Sequence, residues 1–402
     1  MKTCGNLIRI ISEEARLNYL EQTEGQVLSR VKSVRKHEEE SGLEARIISA
    51  VSSAGPRNVA QIARLTGAHQ ETIRYKIKQQ FVKKGFRFQA GVDYRKLGLV
   101  LHWGKFVFPP AYYDSAAKFF KSLNESAYLI HYSKVLPQGY FVALFALPEG
   151  TTIGFSQFLE SLKRRKVISE FGLDAVSAQR HKSMDPTFFN FRRNEWEVDW
   201  ERVKRLKPSS LSTDARPAEY LADELDLLII KELQKDARQH VVGIGRKLKV
   251  KPKTLEYHYR VHVVDGDLMP GYRVRWMNDA DRPLSRTTAM IRAVFRGLDP
   301  EQYKSVQAAM SKLPFLWVED LLDSGTYVVG LGVPLEDLSP TLSYINQELP
   351  FLGDRVDVGY MSVEESYNYT IPYQMYSKGQ WRFDIKKMES AVLKELGAGE
   401  AG

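Results

Sequence analysis

The chain has 402 residues, of which 43% are hydrophobic and 27% charged, and carries a formal net charge of +9. That composition excludes a disordered or fibrous protein and leaves room for two to four domains that each bury a core. The single cysteine, Cys4, rules out an intramolecular disulfide and a multi-cysteine zinc site. No apolar run approaches the roughly 18–20 residues of a membrane span, and the run from Leu7 to Ile11 is broken by Arg9. A cytoplasmic protein without a membrane partner is therefore expected, and its basic surface suits a polyanion.

In chain order, Leu17, Leu20, Val27, Val31 and Val34 form a heptad-like stripe on a Pro-free stretch that Ser41-Gly42 ends. This reads as an N-terminal helix over 1–42, packed on its own domain or forming a dimer seam. Residues 43–90 then hold three short helical patterns separated by Gly55-Pro56 and Gly67-Ala68-His69, the spacing of a winged helix-turn-helix. Strand, helix, strand, strand, helix, strand follow within 91–180, with strands near 99–108, 127–136, 139–147 and 168–177. This is the ferredoxin-like βαββαβ order. An aromatic arm and linker over 181–223 carry Phe188, Phe189, Phe191, Trp196 and Trp200, then the Lys207-to-Thr213 stretch.

The pattern then starts again. Residues 43–85 reappear as 225–267 without a gap, with Thr72-Ile73-Arg74-Tyr75 on Thr254-Leu255-Glu256-Tyr257 at an offset of 182 residues. Downstream, Gly139-Tyr140-Phe141-Val142 matches Gly325-Thr326-Tyr327-Val328 and Trp196 matches Trp381. A repeat of this length is a duplicated pair of domains, since solenoid units run about 20–50 residues. The second copy gives a helix-turn-helix over 224–272, a ferredoxin-like domain over 273–365 and an aromatic C-terminal arm over 366–402 with Tyr367, Tyr369, Tyr373 and Tyr376. The expected fold is thus α+β: two tandem units, each a three-helix (winged) helix-turn-helix followed by a ferredoxin-like βαββαβ domain.

A recognition helix presents to DNA the face opposite its core stripe. In the first copy that face offers Gln70, Thr72, Arg74, Tyr75 and Lys78, with Arg57 and Arg64 nearby; in the second it offers Lys251, Lys253, Thr254, Tyr257, His258 and Arg260. Such cations position a helix on phosphates, and the hydroxyl and amide groups supply edge contacts. The segment Glu224-Leu225-Asp226-Leu227-Leu228-Ile229-Ile230 resembles the Leu-Asp-x-x-Asp-x-x-Ile-Leu pattern of the leucine-responsive regulator/AsnC family of transcription factors. Thr72-Ile73 with Lys76-Ile77 resembles that family's recognition helix, and Asp93-Tyr94-Arg95-Lys96-Leu97-Gly98-Leu99 its wing-to-strand passage. The resemblance implies a DNA-binding transcriptional regulator, not an enzyme, reading two half-sites of double-stranded DNA. Members of the family dimerise through the βαββαβ domain, so two units on one chain could pair as a covalent pseudo-dimer. A homodimer through the N-terminal helix or the βαββαβ domains also stays open. The family's Gly-x-x-Asp-like effector signature is absent from both central hairpins, which leaves a small-molecule effector open.

Enzyme motifs are missing: there is no phosphate loop, Gly-x-Ser-x-Gly elbow or His-Glu-x-x-His. His258 and His262 stand four apart, as two metal ligands do on a helix, but no third ligand follows in sequence, so neither a metal nor a cofactor is expected. One enzymatic alternative remains, because sirohaem decarboxylases resemble the same regulator fold. Their site would need His or Tyr near the βαββαβ cleft and Arg for carboxylates, and His102, His131, Arg273 and Arg275 are available. A non-DNA-binding assembly role is the other alternative.

Overall fold

The computed structural model describes residues 42–211, 222–276 and 288–397. The helix expected over 1–42 therefore lies outside the described residues, apart from Gly42. Two three-helix units are present. In the first, residues 42–54, Val59–Thr66 and Gln70–Tyr75 are helical, the last running on through a π-helical Lys76–Gln80 into Phe81–Lys83. In the second, Glu224–Lys235, Val241–Leu248 and Pro252–Tyr257 play the same parts, with a π-helical continuation over His258–Val264. Ile47, Ile48, Ile62, Ile73 and Ile77 bury their side chains between the first three helices, as the 3/4 spacing requires.

Each unit ends in a short strand that the sequence reading did not assign. Strand β1 (Phe86–Ala90) pairs antiparallel with its distant counterpart β8 (Tyr272–Trp276), Phe86 opposite Trp276 and Ala90 opposite Tyr272. Alternation then sorts the side chains. Phe86, Phe88 and Val274 sink into an apolar cluster with Phe81, Phe189 and Phe191, while Arg87, Gln89, Arg273 and Arg275 share the opposite face. The units also touch directly: the Arg57 guanidinium lies 4.5 Å above the Tyr259 ring and donates to its hydroxyl.

The main architecture corrects the expectation of two tandem ferredoxin-like units. In the first half the strands are β2 (Leu99–Val107), β3 (Leu129–Leu136), β4 (Phe141–Pro148) and β5 (Glu170–His181). In the second they are β9 (Thr288–Phe295), β10 (Leu316–Leu322), β11 (Tyr327–Pro334) and β12 (Val356–Asn368). Together they close one eight-stranded barrel in the order β10-β11-β9-β12-β3-β4-β2-β5. Two antiparallel seams join the halves: β5 to β10, with His181 opposite Val318, and β12 to β3, with Asn368 opposite His131. The physical reason is edge chemistry. A four-stranded sheet leaves rows of unpaired N–H and C=O groups at both edges, and closure pairs all of them.

Helices Ala116–Ser126, Thr152–Arg164, Pro300–Lys312 and Leu338–Glu348 cover the barrel from outside, and β4 between helix layer and lumen is buried along its whole length. The aromatic segments pack on the chain itself: β6 (Phe189–Asn190) pairs with β7 (Glu195–Trp196) and sets Trp196 edge-on to Phe189, and Trp381 donates its indole N–H to Leu97 O at 2.7 Å. Among the described residues no helix is long and apolar enough to cross a membrane.

Candidate active site in the barrel lumen

The inward side chains of the barrel and the charged face of the β1–β8 ribbon enclose a cavity of about 660 Å³. That lies within the range of roughly 300–1,000 Å³ usual for small-molecule sites. The ribbon contributes Arg87, Gln89, Arg273 and Arg275; the barrel contributes Trp103, His131, Leu144, Gln179, His181, Met290, Arg292, Asp320 and Val328; Tyr367 and Tyr369 come from the end of β12 and beyond. Gly330 makes room on β11, since a Cβ there would lie 1.9 Å from Trp317 Nε1.

The charge balance is lopsided. Arg87, Arg273, Arg275, Arg292 and Lys235 line the cavity, and Asp320 is its sole acidic residue among the described residues. None of the four arginines forms an ion pair with a carboxylate among the described residues. Arg275 instead lies 5.2 Å from the Trp317 ring centre and Arg292 5.5 Å from that of Trp103. Burial lowers the pKa of all of them that titrate abnormally: Arg273 falls to about 9, with neighbouring Arg275 adding repulsion, and Arg275 and Arg292 shift the same way. These side chains keep accessible surface because they border the cavity, yet the surrounding protein removes them from bulk water. Concentrating uncompensated cations in this way is costly, by several kcal/mol per desolvated ion, unless an anion joins them.

The neutral groups are ordered around Asp320. Trp103 Nε1 donates to Asp320 Oδ2 at 2.9 Å and Gln179 Nε2 to Oδ1 at 2.7 Å, while His181 Nε2 lies 2.9 Å from Gln179 Oε1. Because the Gln179 carbonyl accepts, His181 carries its proton on Nε2. Burial raises Asp320 to about 6 despite these donors. His131 Nδ1 donates to Tyr367 O at 3.1 Å; burial, then the Arg275 charge, pushes its pKa down to about 4, so the ring is neutral near pH 7. His181 is shifted down for the same first reason. Arg292 Nε and Trp317 Nε1 are buried donors without a hydrogen-bond partner among the described residues. Unsatisfied buried donors are rare in native proteins and here point at the space a ligand would fill.

Of the four residues weighed for a tetrapyrrole site, the structure brings His131, Arg273 and Arg275 together. His102 faces away, its Nε2 3.0 Å from Thr152 Oγ1 on the outer helix. The residues proposed for DNA lie elsewhere. Arg64, Gln70, Thr72, Tyr75, Lys78, Lys251, Lys253, Thr254, Tyr257 and Arg260 are exposed, and Arg74 is half-buried beside Glu71. Arg57 is engaged by Tyr259, and His258 turns inward to Asp226. Sequence reasoning missed Arg87, Arg292, His181, Trp103 and Asp320. For Arg87 a signal existed: Phe86-Arg87-Phe88-Gln89-Ala90 and Tyr272-Arg273-Val274-Arg275-Trp276 both alternate with period two.

No protein-family model matches the chain, nor does any curated protein. Among solved structures the fold is similar to that of the siroheme decarboxylase NirDL, with a TM-score of 0.52 at 8% identity, covering 89% of this chain and 99% of that one. The same enzyme in complex with an iron-uroporphyrin III analogue matches with a TM-score of 0.54 at 9% identity, over 88% and 99% of the two chains. This likeness runs through both halves and overturns the reading as a leucine-responsive/AsnC-type DNA-binding transcription regulator. It equally tells against the expectation that the chain is not an enzyme, since the fold it resembles over 89% of its length is that of one.

Proposed function

We propose that this protein is an enzyme that binds a polycarboxylate tetrapyrrole in the barrel lumen and removes CO2 from one of its side chains. The observation that carries this reading is the cluster of Arg87, Arg273, Arg275 and Arg292, none ion-paired to a carboxylate among the described residues, beside aromatic and aliphatic side chains of the same cavity. A tetrapyrrole bearing acetate and propionate groups offers the complementary shape and charge: a flat apolar ring for Trp103, Leu144, Met290 and Val328, and peripheral carboxylates for bidentate pairing with arginine. The decarboxylase fold likeness is consistent with it.

Decarboxylation breaks the C–C bond of a carboxymethyl side chain, releases CO2 and leaves an electron pair on the methylene carbon, which then takes up one proton to become methyl. The macrocycle delocalises that pair, and the protein supplies position and proton. His131 suits the second task. Its proton affinity is depressed by burial and by the positive charge of Arg275 and Arg292. Substrate carboxylates that pair with these arginines cancel that field, so the ring gains a proton when substrate is bound.

The test is to titrate the protein with an iron tetrapyrrole carrying free acetate and propionate groups and with its methyl ester. A Soret shift with the free acid alone, followed by loss of CO2 seen by mass spectrometry under reducing, anaerobic conditions, is expected. Equal binding of the ester, or no binding at all, would remove the basis of the proposal.

A further inference from the structure

The second three-helix unit holds a group of side chains that the lumen chemistry does not use. Asp223, Asp226, His258 and His262 bring one potential ligand atom each to within 4.8 Å of one another. Asp226 is fully buried, and two histidines make three close contacts with it and its neighbour: His258 Nδ1 lies 2.9 Å from Asp226 Oδ1, His262 Nδ1 lies 3.1 Å from Asp226 Oδ2, and His258 Nδ1 lies 3.3 Å from Asp223 Oδ2. A tetrahedral ion with bonds of about 2.0–2.1 Å separates its ligand atoms by roughly 3.3 Å, close to these spacings.

The site is pre-organised by helix capping. Asp223 caps Glu224–Lys235 through Oδ1, which accepts from Leu225 N and Asp226 N, so its Oδ2 is left on the histidine side. The histidines stand four apart on the continuation of the third helix and face the same way, their rings 4.6 Å apart. The equivalent place in the first unit, 182 residues earlier, is occupied by Glu44, Lys76 and Gln80. There Lys76 Nζ lies 3.3 Å from Glu44 Oε1, and Gln80 Nε2 donates to the same oxygen at 2.6 Å. Both units thus bury a carboxylate under the third helix. The first neutralises it with a lysine, whereas the second sets two imidazoles against it.

We infer that Asp223, Asp226, His258 and His262 form a binding site for a divalent transition-metal ion of the zinc type, which takes the charge-compensating place of Lys76 and clamps helix Glu224–Lys235 to the third helix. Two imidazole nitrogens and two carboxylate oxygens form a donor set suited to Zn²⁺ or Co²⁺. Binding requires the imidazole protons to reside on Nε2, freeing both Nδ1 lone pairs, and releases protons from any charged ring.

The experiment uses the full-length protein after chelation, titrated with Co²⁺ and then Zn²⁺. Saturable ligand-field bands of four-coordinate Co²⁺, displaced by Zn²⁺, are expected, with a zinc-dependent rise of several degrees in melting temperature. Two variants localise the effect. Asp223→Asn keeps the helix cap, since Asn is a good N-cap residue, and should weaken Co²⁺ binding. His258→Lys combined with His262→Gln installs the lysine and glutamine of the first unit; it should fold without metal and lose both bands and thermal response. Absence of saturable bands in the parent protein, or their survival in the double variant, would overturn the assignment.

Discussion

The two halves of the barrel descend from one pattern but furnish the lumen differently. The second half brings most of the charge: Arg273 and Arg275 from its ribbon strand, Arg292 from β9 and Asp320 from β10. The first half brings mainly polar neutral and aromatic groups, namely Trp103 on β2, His131 on β3, and Gln179 and His181 on β5, with Arg87 as its one arginine. In the proposed function, one half holds the polyanion and the other handles protons. That division can be broken experimentally, because binding and proton transfer should respond to different halves.

The largest effect is expected on the charged side. Arg292→Met removes a buried cation with an unpartnered Nε, and should weaken polycarboxylate binding by about 2–5 kcal/mol, the usual loss when one member of a desolvated charge pair is deleted. The ligand-free protein should meanwhile become more stable, by about 1–4 kcal/mol, since a desolvated charge is replaced by an apolar side chain. Isothermal titration and denaturant melts read the two quantities, and equal losses in both would show a merely structural arginine.

On the neutral side, His131→Gln should leave macrocycle affinity nearly intact and reduce turnover, and it should also change the pH dependence of stability. The folded pKa of about 4 lies below the unfolded value of 6.5, so between these values the unfolded chain binds more protons and stability falls as pH falls. His131 thus contributes a loss of up to about 3 kcal/mol from pH 6.5 to 4. Asp320 acts in the opposite sense in part of this window, since its folded pKa of about 6 exceeds the unfolded value of 3.8 and favours the folded state as pH falls. The measurable quantity is therefore the difference between variant and parent melts across pH, which should shrink for the parent as saturating ligand is added. The smallest change is Gly330→Ala, where the added methyl meets the Trp317 indole. Overpacking of this kind costs about 1–3 kcal/mol, and the displaced indole should show as altered tryptophan fluorescence.

Much of the local structure was legible because it is written in short-range chemistry. Gly55-Pro56 and Gly67 punctuate the first three helices, Pro137-Gln138-Gly139 and Asp323-Ser324-Gly325 mark two hairpins, and the constant offset exposes the duplication. What could not be read is how the copies meet. The β5–β10 and β12–β3 seams join residues more than a hundred positions apart, and no local pattern distinguishes an edge strand that stays open from one that finds its counterpart. The regulator reading rests on motifs within single units, where the outer face of the third helix is the most evident basic surface. Arg87 and Arg273 belonged to a face that exists only once β1 and β8 pair. The carboxylates beside His258 and His262 escaped for a similar reason, as Asp226 is 32 residues from His258 in sequence.

Both lumen histidines stand on seams, His181 facing Val318 across one and His131 facing Asn368 across the other. Neither has its neighbour across the seam until the second half of the chain has been synthesised and folded, although His131 already faces Leu144 on its other side. A polypeptide emerging from the ribosome thus makes the first four strands and their helices early, but gains the lumen cavity only when β10 and β12 arrive. Formation of the cavity is thereby coupled to the meeting of the two halves, so neither half alone presents the full set of lining side chains.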